Sequence, residues 1–154
     1  MIVGDSSALI ALAIIDKLEL LEKLYKNLYI PQAVYEEVTE IGRPQSDKLK
    51  LFLGNRVKTV ELKITKLGLG LGELEAITLY KNLNADVLLI DDNRAKKYAI
   101  LNDIKVIGSL GILIKAKKEG YIKKLKPFLE ELQKSGIFIS DKLIAKVLVI
   151  CDES

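Results

Sequence analysis

Two rhythms of apolar and polar positions run through the chain. Brief aliphatic runs at Ile2-Val3, Leu28-Tyr29-Ile30, Val87-Leu88-Leu89-Ile90 and Lys105-Val106-Ile107 are too short for helices and read as buried strands. Val57 to Leu62 alternates as an edge strand does. Between these runs the apolar residues recur at helical spacing. Leu18, Leu21 and Leu24 share one face of a helix predicted over Lys17 to Tyr25, with Asp16 as its cap. Pro31 suits the first position of a helix that carries Val34 and Glu37. Further helices are predicted over 45–54, over 73–83, through Ala95 and Ala99, and over 110–118, 121–134 and 141–150. Gly42-Arg43-Pro44, Gly120, Pro127 and Gly136 supply the punctuation. Strands alternating with helices predict a three-layer α/β/α fold with a short parallel sheet. No repeat or linker divides the 154 residues, so they read as one domain, with its core over about 1–120 and a C-terminal helical appendage over about 121–154.

The segment Ile2-Val3-Gly4-Asp5-Ser6-Ser7 organises this pattern: an aliphatic strand ends on an acid, and two hydroxyl residues stand where a helix begins. Ligands of open parallel sheets collect beyond the carboxyl ends of the strands, where Asp5 stands. Asp91-Asp92 ends the strongest strand in the same way. Glu37 and Glu75 lie near the starts of helices that leave the same side of such a sheet. Clustered carboxylates repel, and a divalent cation relieves the repulsion. Oxygen-only ligation selects Mg²⁺ or Mn²⁺ over zinc. A metal-bound water can then attack a phosphodiester. Each acid also has a plainer use. Asp5 could cap its helix, Asp91 and Asp92 could answer a helix dipole, and Glu73 reads as such a helix-start acid rather than a ligand. Glu36 reads as solvated, with Glu37 in the apolar register.

Composition narrows the chemistry. Histidine is absent, which excludes Ser-His-Asp and Cys-His triads, histidine-ligated zinc and histidine bases. The single cysteine, Cys151, cannot form an intrachain disulfide, which fits a cytoplasmic protein. The longest apolar run, Ala8 to Ile15, is too short to cross a bilayer and no basic segment precedes it, so neither membrane anchor nor signal peptide is expected. A net charge of +3 is too mild to announce a nucleic-acid binder. Between Asn93 and Lys126, however, ten basic residues face only Asp103 and Glu119. Arg94, Lys117 and Lys118 from this stretch, with Ser6 and Ser7, are the candidate substrate contacts; the plainer alternative is ordinary solvated helix faces.

Several segments together resemble one family. Asp5-Ser6-Ser7-Ala8-Leu9-Ile10, Ile30-Pro31-Gln32-Ala33-Val34-Tyr35-Glu36-Glu37, Gly72-Glu73-Leu74-Glu75-Ala76-Ile77 and Leu89-Ile90-Asp91-Asp92 resemble PIN-domain proteins. The likeness is greatest to a prokaryotic subgroup with a Gly-Glu-x-Glu-Ala-Ile signature, related to VapC-type toxins, which Gly108-Ser109-Leu110-Gly111 and Ala116-Lys117-Lys118-Glu119-Gly120 also resemble. The resemblance implies a ribonuclease dependent on Mg²⁺ or Mn²⁺, often the toxin of a toxin–antitoxin pair. It implies RNA, read single-stranded, as substrate and a small antitoxin as partner. The apolar C-terminal helices offer surface for that partner or for a homodimer. Carried over, the acid quartet is Asp5, Glu37, Glu75 and one of Asp91 and Asp92. Two positions depart from the family pattern: Glu75 stands where many relatives have Asp, and Asp91 where they have Thr. The alternative is a relative that keeps the fold as a nucleic-acid-binding or assembly module without turnover.

Three other readings fail on particular residues. Gly68-Leu69-Gly70-Leu71-Gly72 runs into Glu73 and Glu75, which would repel a cradled phosphate. A receiver domain needs a strand-ending aspartate in midchain, and Asp47 lies in a helical stretch. A dehalogenase-like phosphatase needs an acid two residues after Asp5, where Ser7 stands.

Overall fold

The computed structural model describes residues 1–62 and 68–154. Five strands form one parallel sheet: β1 (Ile2–Gly4), β2 (Leu28–Pro31), β3 (Val57–Lys58), β4 (Val87–Leu89) and β5 (Val106–Ile107), in the order β3-β2-β1-β4-β5. The helices described between and after them are α1 (Ser6–Ile14), α2 (Glu19–Leu24), α3 (Gln32–Val38), α4 (Ser46–Leu53), α5 (Leu71–Leu83), α6 (Asn93–Leu101), α7 (Ser109–Lys118), α8 (Lys126–Lys134) and α9 (Asp141–Ile150). The three-layer α/β/α expectation is met.

Strand alternation creates the layers, because successive side chains leave opposite faces of a sheet. Ile2, Leu28, Ile30 and Leu89 enter one core with α1, α4 and α7, whereas Val3, Leu88 and Ile90 enter a second core with Ala76, Ile77 and Leu79 of α5 and Ala95 and Ala99 of α6. The C-terminal helices are not detached from this arrangement. Leu129 and Leu132 of α8 and Val147 of α9 belong to the same apolar cluster as α1 and α7. Among the described residues, no helix is long and apolar enough to cross a membrane.

Local details depart from the sequence pattern for identifiable reasons. The edge strand predicted over Val57–Leu62 is paired only at Val57 and Lys58, because its partner β2 stops at Pro31 and offers no further ladder. The helix predicted from 121 begins at Lys126, which puts Pro127 in the first turn, where its missing amide breaks no helical bond. Asp16 does not cap α2. It adopts a left-handed backbone (φ 56°), and Leu18 occupies the cap position.

The chain walks outward from β1 to β3, then returns past β1 to β4 and β5. The direction of winding therefore reverses between β1 and β4, where the Asp5 amide donates to the Leu89 carbonyl at 2.9 Å. Crevices form at such a switch point.

A carboxylate-lined cavity at the switch point

A cavity of about 480 Å³ opens there, lined by Asp5, Ser6, Ser7, Glu36, Glu37, Gly72, Glu73 and Asp92 together with Ala33, Gly70 and Leu71. Asp5 follows β1 at the N-cap position of α1, yet its side chain caps nothing. It is 3% exposed and its carboxyl is pushed from 3.8 up to about 7. Burial is the main cause; the Ser6 amide partly offsets it, and the charges of Glu73, Glu37 and Asp92 add to it. Glu37, on α3, accepts a hydrogen bond from the Ser6 hydroxyl at 2.7 Å. Asp92 caps α6, accepting from the Ala95 amide at 2.8 Å through one oxygen.

Glu73 stands where Glu75 was expected. Its Oε1 accepts from the Gly70 amide at 2.9 Å, the reciprocal arm of a capping box, so the helix-start role predicted for it is present. Its Oε2, however, is buried without a partner among the described residues. Burial raises the Glu73 carboxyl; the Gly70 amide partly offsets that, and the neighbouring Asp92 and then Glu37 raise it further. The residue at N3 of a capped helix reaches back toward the loop, which here is the cavity wall. A glycine at the cap position hid this signal in the sequence, where Ser or Thr would have displayed it.

The structure does not bring Glu75 and Asp91 to the cavity. Pro31, the N-cap of α3, has no side-chain oxygen, and the orphaned Ala33 amide is met instead by Glu75 Oε1 at 3.0 Å. Asp91 turns toward β5 and takes both the amide (2.8 Å) and the hydroxyl (2.7 Å) of Ser109 at the start of α7. In the pairs Glu73/Glu75 and Asp91/Asp92 one member lines the cavity, while the other is engaged at the start of a different helix, α3 or α7. Gly108 makes room for the Asp91 arrangement. A Cβ built on it would lie 2.6 Å from Asp91 Oδ1 and 3.1 Å from Lys96 Nζ. Gly108→Ala should therefore dislodge Asp91 and destabilise the protein by about 1–2 kcal/mol, the worth of a helix cap, as read by thermal melting. An unchanged melting temperature would contradict this.

The substrate contacts predicted from the basic stretch do not gather at the cavity. Ser6 and Ser7 line it, whereas Arg94 is not among its lining residues and donates to the Gly68 carbonyl at 3.0 Å. Lys117 and Lys118 are a helix length away. Helix α7 starts at the carboxyl edge of the sheet and runs back for ten residues, about 15 Å at the helical rise. Lys117 is also engaged, 2.8 Å from Glu153 and donating to the Cys151 carbonyl.

The residues present suit a divalent cation. The donor set is all oxygen, a carboxylate oxygen is buried with no partner among the described residues, and Gly72 leaves the space between neighbours open: a Cβ there would stand 3.1 Å from Glu37 Oε2 and 3.8 Å from Asp5 Oδ1. Among the described residues no three acids already surround one point. Mutual repulsion disfavours a closer gathering of uncompensated carboxylates.

A parallel α/β domain with carboxylates gathered at its switch point is the class these features define. The family model described as PIN domain matches residues 1–153, and the chain belongs to that family. PIN domains are in general nucleases, typically dependent on divalent metals. No curated protein matches the chain.

Proposed function

We propose that the protein is an endoribonuclease that hydrolyses RNA phosphodiesters with Mg²⁺ or Mn²⁺ held by Asp5, Glu37, Glu73 and Asp92. The observation supporting this most is the buried Glu73 Oε2, without a partner among the described residues, in a cavity also lined by Asp5, Glu36, Glu37 and Asp92. A bound cation would supply an activated water and offset charge developing on the phosphate. The chain's own residues arrange the rest. Ser6 orients Glu37 through its hydroxyl, and the buried position of Asp5 excludes water from one side of the site. Ser7, on the cavity lining, and Arg94 would contact the RNA backbone.

The spread of the acids favours one competing reading, a non-catalytic module that binds nucleic acid through the same face. Incubation of varied single-stranded RNAs with Mn²⁺, with and without chelator, separates the two. Chelator-sensitive cleavage that is lost in Asp92→Asn is expected for the nuclease, and no cleavage of any RNA leaves the module. A role as the toxin of a toxin–antitoxin pair extends the reading. Exposed Phe138, Val149 and Ile150 in the C-terminal third would give a small antitoxin or a second copy an apolar surface. Expressed without such a partner, the parent protein should then arrest growth and Asp92→Asn should not.

A further inference from the structure

Helix α3 is short, and its start lacks a cap of its own. Pro31 offers no side-chain acceptor, and a seven-residue helix contributes little stability by itself. It nevertheless carries Glu37, whose Oε2 accepts from the Ser6 hydroxyl at 2.7 Å and lies where a Cβ on residue 72 would stand 3.1 Å away. Val34 and Val38 anchor this helix in the core, and its uncapped start is met by a neighbour. Glu75, in the second turn of α5, crosses to the Ala33 amide at 3.0 Å, and Ala33 lies one helical turn before Glu37. The same α5 supplies Glu73 and Gly72 to the cavity wall. This bond ties α5, which bears Leu71, Gly72 and Glu73 of the cavity lining, to the helix bearing Glu37.

We infer that Glu75 is a positioning residue: it fixes the start of α3, thereby aims Glu37 into the cavity, and takes no part in holding the cation. This rests on the cation-binding reading above. A ligand and a cap ask different things of a carboxylate. A cap needs one acceptor oxygen, which the glutamine side chain keeps; a ligand needs the anionic charge, which glutamine lacks. Outer partners of ligating residues act on affinity through the ligand they hold, commonly by about tenfold or more.

The test measures Mn²⁺ affinity by paramagnetic resonance and amide exchange at Ala33 in the full chain, for the parent, Glu75→Gln, Glu75→Ala, Glu37→Gln and the double variant Glu37→Gln/Glu75→Ala. Glu75→Gln should retain the parent's affinity and its protection at Ala33. Glu75→Ala should bind Mn²⁺ about tenfold more weakly and exchange faster at Ala33. In the Glu37→Gln background, Glu75→Ala should weaken binding no further, because its effect travels through Glu37. Glu75→Gln losing affinity as heavily as Glu37→Gln would make Glu75 a ligand and overturn the inference. Glu75→Ala retaining the parent's affinity would reduce it to a structural cap and overturn the positioning role. A parent that binds no Mn²⁺ would instead overturn the cation-binding reading itself.

Discussion

Asp5→Asn, held in chelator above neutral pH, should melt at a higher temperature than the parent. The carboxyl of Asp5 ionises near 7 in the folded protein, against an ordinary 3.8, chiefly because it is buried. A folded-state value raised in this way leaves no penalty below the unfolded value and imposes it progressively as pH climbs from about 4 to 7. The accumulated penalty is on the order of 4 kcal/mol in the metal-free protein. Asparagine keeps the shape and the acceptor oxygen without the charge. For a chain of this size, relief of that order raises the melting temperature by up to about 10 °C at pH 8 and by almost nothing at pH 4. With Mn²⁺ present most of that difference should disappear. A ligand at a hundred times its dissociation constant stabilises the parent by about 2.7 kcal/mol, and the variant should forgo most of that along with RNA cleavage. If Asp5 served only as a cap, the variant would match the parent in chelator and gain fully from Mn²⁺.

The polarity pattern announces the architecture because the buried strands and helix faces repeat it many times over. Val3 and Ile2 part to opposite cores simply because they are neighbours in a strand. Sequence pattern is less able to say which of two adjacent acids faces a site. Glu73 and Glu75 are equivalent in spacing and chemistry; what separates them is a glycine-capped helix start on one side and a proline-headed neighbour lacking an acceptor on the other. Asp91 and Asp92 separate for a similar reason, since Asp91 meets Ser109 at the start of α7, 18 residues further along the chain. Lysines mislead in a different way. Lys117 and Lys118 are close to the site in composition and far from it in space, because a helix that starts at the site edge must end away from it. In each case the missing information is a long-range partner, not a local preference.

Lys117 answers a structural demand instead, and the loss of its partner should be among the most damaging single changes. The Glu153 side chain is 7% exposed at the junction of α7 and α8. It accepts the Leu125 amide at 2.8 Å, the Lys126 amide at 3.2 Å and the Lys117 ammonium at 2.8 Å. Burial alone would raise its carboxyl; the Leu125 amide, the Lys117 ammonium and the Lys126 amide together outweigh it and hold the group below the usual range. A depressed folded value contributes stability above the unfolded one and loses it as pH falls through the folded one, opposite in sign to Asp5. Glu153→Ala strands a half-buried ammonium and two amides, and should destabilise the protein by about 3–5 kcal/mol near neutral pH. Glu153→Gln, which keeps an acceptor for the amides, should fall between the two. Because this lock sits at the far end of α7 from the cavity, Mn²⁺ affinity measured well below the melting temperature should be unchanged in both variants. A Glu153→Ala protein with the parent's melting temperature would show that the lock contributes nothing. Weakened Mn²⁺ binding in a still folded variant would show that the C-terminal helices and the acidic cavity are coupled.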